Sequence, residues 1–187
     1  VVETKNTEKT SSNLKPLVFA ALFAALTAAV APFKIPLGFT PVPITLQTLV
    51  VLMSGAMLGH VYGALAMILY VVVGALGLPV FAGGGSGIGA ILGPTGGYLI
   101  SYFIAAFAIG KTLQLRKNPK YFDYVVAMIV GTAIIYLLGA AWGMVVTGLG
   151  VAAIIAGWVL PFIIGDAIKL LIAAYIAKTV NIKRYLK

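Results

Sequence analysis

A helix needs about 20 consecutive apolar residues to cross the hydrocarbon core of a bilayer, and this sequence supplies runs of that order repeatedly. The longest, residues 122–147, carries one charged side chain, Asp123, at its edge. Six segments read as spans, at roughly 16–32, 44–59, 61–78, 95–113, 122–147 and 160–180. Charged residues make up 9% of the chain and hydrophobic ones 61%, whereas a soluble domain carries roughly 25% charged residues. Too few charges remain to coat a water-facing surface. The expected fold is therefore all-α: an integral membrane bundle of six transmembrane helices, residues 16–180, between a polar, mobile tail (1–15) and a basic tail (181–187).

The charges orient the bundle. With the N-terminus in the cytoplasm, Lys5, Lys9, Lys15, the 111–120 loop (Lys111, Arg116, Lys117, Lys120) and the tail (Lys178, Lys183, Arg184, Lys187) all fall inside. That is eleven of the thirteen basic residues, the positive-inside pattern. It places both termini in the cytoplasm and predicts a multi-pass protein of the cell membrane. It also accounts for the net charge of +9 without nucleic acid. The two exceptions are Lys34, in an outer loop, and Lys169, within the sixth span.

The same topology puts three unusual connections outside. Residues 32–43, "PFKIPLGFTPVP", hold four prolines and cannot be regular helix. Residues 79–97, "PVFAGGGSGIGAILGPTGG", are rich in glycine. Residues 148–159, "GLGVAAIIAGWV", read as a loop with a short helix lying at the membrane surface. By contrast the inner turn between spans two and three is very tight. Loops this elaborate and this apolar point to a site facing outward.

Polar residues inside the spans are the candidates for that site. In "PFIIGDAIK" (161–169), Asp166 and Lys169 lie three apart, on one helix face. They sit about 8 and 12 Å below a helix start at Pro161, at ~1.5 Å per residue. Each charge costs roughly 2.5–3.5 kcal/mol at the bilayer centre. They form either a mutual ion pair or the floor of a polar ligand cavity, suited to a solute with both donors and acceptors. "PITLQTL" (43–49) opens the second span with Thr45, Gln47 and Thr48; the threonines can cap or back-bond to the helix, and Gln47 can line a cavity. The glycine run 83–89 is either a flexible re-entrant loop or a lining loop whose backbone N–H groups approach a ligand. It is no nucleotide loop, since neither GxxxxGK[ST] nor GxGxxG is present. In span one, Ala20, Ala24, Ala28 and Ala21, Ala25, Ala29 form a ladder that lets helices approach closely, for internal packing or for a partner's helix. Gly55, Gly59 and Gly63 read as internal packing.

Other chemistry has no residues to run on. There is no cysteine and one histidine, His60, so neither thiol chemistry nor a metal site is expected. A second buried acid is missing, and no Ser/His pair suggests itself. A substrate-binding subunit fits better than an enzyme.

"GFTPVPITLQTL", "GALGLPVFAGGGSGIGAILGPTGGYL" and "PFIIGDAIK" closely resemble the biotin-specific substrate-binding (S) component of energy-coupling factor (ECF) transporters, the BioY family, over residues 16–180. The resemblance implies a six-helix S-component bundle that binds biotin from outside and passes it inward. It implies an energising transmembrane subunit and two ATPase subunits as partners, with no cofactor. Asp166 and Lys169 match the positions that contact the fused-ring head of biotin. Ala21 and Ala25 match the AxxxA motif that docks on the transmembrane partner, and the 32–43 loop covers the pocket. Beside it, the residues suggest further roles. Tyr98 and Trp158 can pack on the bicycle. The valerate carboxylate can take donors from the glycine run, with Gly84 and Gly85 ranked first, or from Lys34. An S component for another vitamin and a solitary carrier are the alternatives.

Overall fold

The computed structural model describes residues 14–180 and 182 in full and the backbone of 2–13. Apart from Ile182, the expected basic tail lies outside the described residues, as do the side chains of 1–13. Helix α1 runs Val2–Val30 with Pro16 inside it, not from Pro16. A proline in that place removes one backbone hydrogen bond, but no glycine or second proline in residues 1–15 stops the helix before it. The inward stripe of α1 is Ala20, Phe23, Thr27 and Ala31, all buried. This i, i+3, i+4 spacing is that of one helix face. Leu22 and Leu26 are exposed on the opposite side.

Residues 32–46 form a loop closed by a two-residue antiparallel pair, β1 (Lys34–Ile35) and β2 (Ile44–Thr45). Helix α2 (Gln47–Ala75) follows, but it is not one rod. Gly59 has φ +81° and ψ −179°, a conformation open mainly to glycine. There the chain folds back on itself: a Cβ on Gly63 would lie 2.8 Å from Gly55 Cα, and Gln47 reaches Tyr70. In a straight helix, residues eight apart are about 12 Å apart. The arms 47–58 and 60–75 are thus an antiparallel hairpin, matching the second and third apolar segments.

The glycine loop is held, not free. It contains a 3-10 turn (Ala82–Gly84) and a short helix α3 (Ile88–Leu92). The Gly83 N–H donates to Ala31 O at 3.1 Å and the Gly87 N–H to Gly74 O at 2.7 Å, tying the loop to the ends of α1 and α2. Helix α4 (Gly96–Gln114) and helix α5 (Tyr121–Thr147) follow, and Gly148 ends α5 in the left-handed conformation.

The 148–159 segment departs from expectation. It holds α6 (Val151–Ile154) and a π-helical turn (Ile155–Val159), which lead through a 3-10 turn (Leu160–Phe162) into α7 (Ile163–Thr179). The Trp158 ring fills the space over Gly143, and Asp166 meets Tyr136 further along. The segment therefore returns along α5 as part of the last helical stretch instead of lying separately at the surface. Pro161 has no N–H to offer the preceding turn, which accounts for the irregular turns at the junction. The 29 residues Val151–Thr179, like α2, α4 and α5, are long and apolar enough to cross a membrane, and Leu14–Val30 is a shorter apolar helix.

Small residues set the helix separations. A Cβ on Gly55 would collide with the Ala106 carbonyl of α4, and one on Gly110 with the backbone at His60. Gly55→Val should lower the melting temperature by roughly 3–10 °C, because overpacking costs about 1–3 kcal/mol and each kcal/mol shifts a protein of this size by about 2–4 °C. Gly89→Ala, where the added carbon meets nothing within 4 Å, should leave it unchanged. Thermal unfolding of both variants in detergent checks the pair.

Candidate functional site

At the end of the bundle opposite the Gly59 turn, the 32–46 loop, the glycine loop and the starts of α2 and α4 enclose a cavity of about 210 Å³. Its floor is charged. Lys169 Nζ donates to Asp166 Oδ1 at 2.7 Å. Thr48, the second residue of α2, donates its hydroxyl to the same oxygen at 3.1 Å and accepts from Lys169 Nζ at 3.2 Å. Tyr136 of α5 donates to Asp166 Oδ2 at 2.6 Å. Asp166 is 6% exposed. Three helices therefore converge on one carboxylate.

Counting valences shows what the floor can still do. A carboxylate offers about four acceptor positions and an ammonium three donors. Asp166 uses three of its positions, and Lys169 two of its donors. One acceptor position and one donor remain. Gln47 stands beside them, buried, its amide nitrogen donating to Tyr70, whose hydroxyl donates to Val80 O at 3.1 Å. Among the described residues no donor reaches the Gln47 amide oxygen. A solute with an N–H donor beside a carbonyl acceptor suits this floor.

The walls are apolar and aromatic: Phe81, Tyr98, Leu99, Tyr102, Ile135 and Phe162. Tyr70 lies behind them, edge-to-face with Phe81 at 5.6 Å and stacked near Tyr102 at 6.5 Å. Tyr98 lies on Gly139, and its hydroxyl donates to Trp158 O at 2.6 Å. At the mouth stand Lys34, Pro41, Val42 and Pro43, with the Lys34 side chain lying over Gly83.

Of the residues singled out in the sequence, Asp166, Lys169, Gln47, Tyr98, Thr45, Gly85 and Lys34 line the cavity. Gly84 does not; it makes the turn behind, at φ +82°. Thr45 Oγ1 accepts the Gln47 N–H at 3.3 Å, a capping role. Trp158 does not line the cavity; it backs Tyr98, the rings 6.4 Å apart and 25° from parallel. Three N–H groups of the glycine loop are already engaged, Gly83 with Ala31, Gly84 with Phe81 and Gly87 with Gly74, whereas Gly85, which lines the cavity, accepts from Phe81 through its carbonyl. Ala21 and Ala25 are exposed on the outer face of α1, while Ala20 on the inner face is buried. Asp123 is bound to Arg116 at 3.3 Å, outside the site. Tyr136 and the site role of Thr48 were missed. A tyrosine hydroxyl in mid-span needs a partner, and that was the available signal.

The BioY family profile matches residues 4–185. The chain belongs to the BioY family. A probable biotin transporter BioY of Pyrococcus horikoshii is 41% identical over 88% of this chain and 94% of its own length. The biotin transporter BioY of Thermotoga maritima is 42% identical over 88% and 94%. The crystal structure of an S-component for biotin from an ECF-type ABC transporter superposes with a TM-score of 0.83 at 28% identity, covering 97% of this chain and 98% of that one.

In this BioY-family chain, Tyr136→Phe deletes a donor from a buried carboxylate. An unsatisfied buried group costs about 1–3 kcal/mol, so the melting temperature should fall by roughly 3–10 °C. Tyr175→Phe, at an exposed tyrosine, should not move it. The same thermal scan reads both.

Proposed function

We propose that this chain is the biotin-binding S component of an ECF transporter. It binds substrate and is not an enzyme. The observation that carries the reading is the pair of free valences on Asp166 and Lys169 at the floor of an aromatic-walled cavity. The ureido head of biotin has two N–H donors and one carbonyl acceptor. In this reading Asp166 Oδ2 accepts one N–H, the Gln47 amide oxygen is in place for the other, and Lys169 donates to the carbonyl. The fused rings lie among Phe81, Tyr98 and Tyr102. Lys34 at the mouth and the Gly85 N–H, both in the cavity lining, are the donors for the valerate carboxylate; the Gly84 N–H is already bonded to Phe81 O.

The membrane topology proposed with this is six spans: α1, the two arms of α2, α4, α5 and the 151–179 stretch. Both termini face the cytoplasm and the cavity faces out. The positive-inside pattern supports it, as does the gathering of Lys117, Lys120 and Lys178 at the end opposite the cavity. The partners are an energising transmembrane subunit and two ATPase subunits. Ala21 and Ala25 offer a flat outer strip for the transmembrane subunit.

Calorimetric titration of biotin into the purified chain in detergent tests the ligand. Stoichiometric binding is expected. Asp166→Asn should weaken it by roughly 10–100-fold, because hydrogen bonds to charged groups are worth about 1.5–3 kcal/mol and 1.4 kcal/mol is tenfold. No binding by a folded wild type would overturn biotin in favour of another vitamin. For the partner strip, Ala21→Leu with Ala25→Leu should leave biotin titration unchanged and abolish co-purification with the co-expressed ATPase and transmembrane subunits. Retained co-purification would overturn that role.

A further inference from the structure

A second cavity, about 480 Å³, lies at the other end of the molecule, where the Gly59 turn, the 115–120 loop and the end of α7 meet. Among the described residues its lining carries three ammonium groups, Lys117, Lys120 and Lys178, and no acid. Among the described residues no side chain pairs with any of the three. The acid nearest in sequence, Asp123, is already engaged by Arg116 at 3.3 Å and by the Lys120 N–H at 2.7 Å. Three unneutralised cations around one hollow repel each other and call for an anion. The N-terminal end of α5, which starts at Tyr121, adds positive helix-dipole potential at the same place.

The rest of the lining says what kind of anion. Beside Asn118 and Tyr124, the remaining wall includes an apolar part made by Ala56, Met57, Ala177, Val180 and Ile182. The hollow lies where membrane helices end, the depth of lipid headgroups. Basic pockets between helix ends on this side of a membrane bind anionic headgroups. A free anion would use the lysines alone, whereas a phospholipid uses both the lysines and the apolar wall.

We propose that this cavity binds the phosphate-bearing headgroup of an anionic phospholipid, with Lys117, Lys120 and Lys178 as its cationic contacts. The proposal rests on the membrane embedding of the chain and is independent of biotin binding. The test is native mass spectrometry of the full chain in detergent, titrated with phosphatidylglycerol or phosphatidylcholine. Saturable retention of phosphatidylglycerol, favoured roughly tenfold or more over phosphatidylcholine, is expected. In K117Q/K120Q/K178Q the preference should vanish, while Lys111→Gln, exposed in the last turn of α4 and outside the cavity, should keep it. Gel filtration and melting temperature establish that the variants fold. If the triple variant does not fold, the three single variants, each expected to reduce the preference, take its place. Equal retention of both lipids by the wild type, or an undiminished preference in the folded variants, overturns the proposal. Millimolar inorganic phosphate should fail to displace the lipid; displacement would assign the lysines to a soluble phosphate and overturn the lipid reading.

Discussion

A carboxylate and an ammonium three residues apart on a membrane helix cannot face hydrocarbon, and pairing them does not by itself solve the problem. Desolvation of both charges outweighs their attraction unless further hydrogen bonds fill the remaining valences. Thr48 and Tyr136 provide those bonds to Asp166. They come from different helices, so the ion pair fixes where α2, α5 and α7 stand relative to one another. The solution stops one bond short on each partner. A floor that is neutral overall, yet has one donor and one acceptor left over, is stable enough to fold and still polar enough to read a ligand.

Such a floor needs backbones that approach closely, and lipid gives helices no hydrophobic reason to associate. Packing must supply it, through small residues. The Gly55–Gly63 contact closes the α2 hairpin and the Gly55–Ala106 contact seats it on α4. On the other side, rings replace backbones: Tyr98 lies on Gly139 and Trp158 on Gly143. The hydrogen bond from Tyr98 to the Trp158 carbonyl links these two slots. One wall of the cavity is therefore set by glycines on α5 that never touch it. The π-helical turn at 155–159 brings Trp158 to its slot before Pro161 redirects the chain.

Much of this could be read from sequence because lipid makes the grammar strict. Apolar length marks the helices, lysine placement marks the sides, and an isolated acid and base in a span mark a site. The Asp166 and Lys169 face was legible for that reason, and so was the part the 32–43 loop plays in covering a pocket. What escaped depended on distance in the chain. Thr48 and Tyr136 lie 118 and 30 residues from Asp166, and no local pattern joins them. The glycine run was only partly legible: the carbonyls that occupy the Gly83 and Gly87 N–H groups, on Ala31 and Gly74, belong to other elements. The 148–159 stretch looked like a separate surface helix because its glycines and apolar residues fit either arrangement until Gly143 is seen to leave room for Trp158.

The arrangement of charge from mouth to floor also sets the direction in which a ligand must lie. The floor pairs one acid with one base, so it gains nothing from a ligand's net charge and discriminates only by hydrogen-bond pattern. The mouth holds Lys34, and the acid in the cavity lining, Asp166, lies at the floor and is paired with Lys169. An anionic group on the ligand is stabilised there and gains no comparable stabilisation from the neutral pair below. A molecule with a neutral polar head and a charged tail is thus accepted in one orientation, head down. In the reverse orientation its charge faces a neutral ion pair at the floor and leaves Lys34 unpaired. Orientation follows from where the net charge lies, before any shape fit by the aromatic walls.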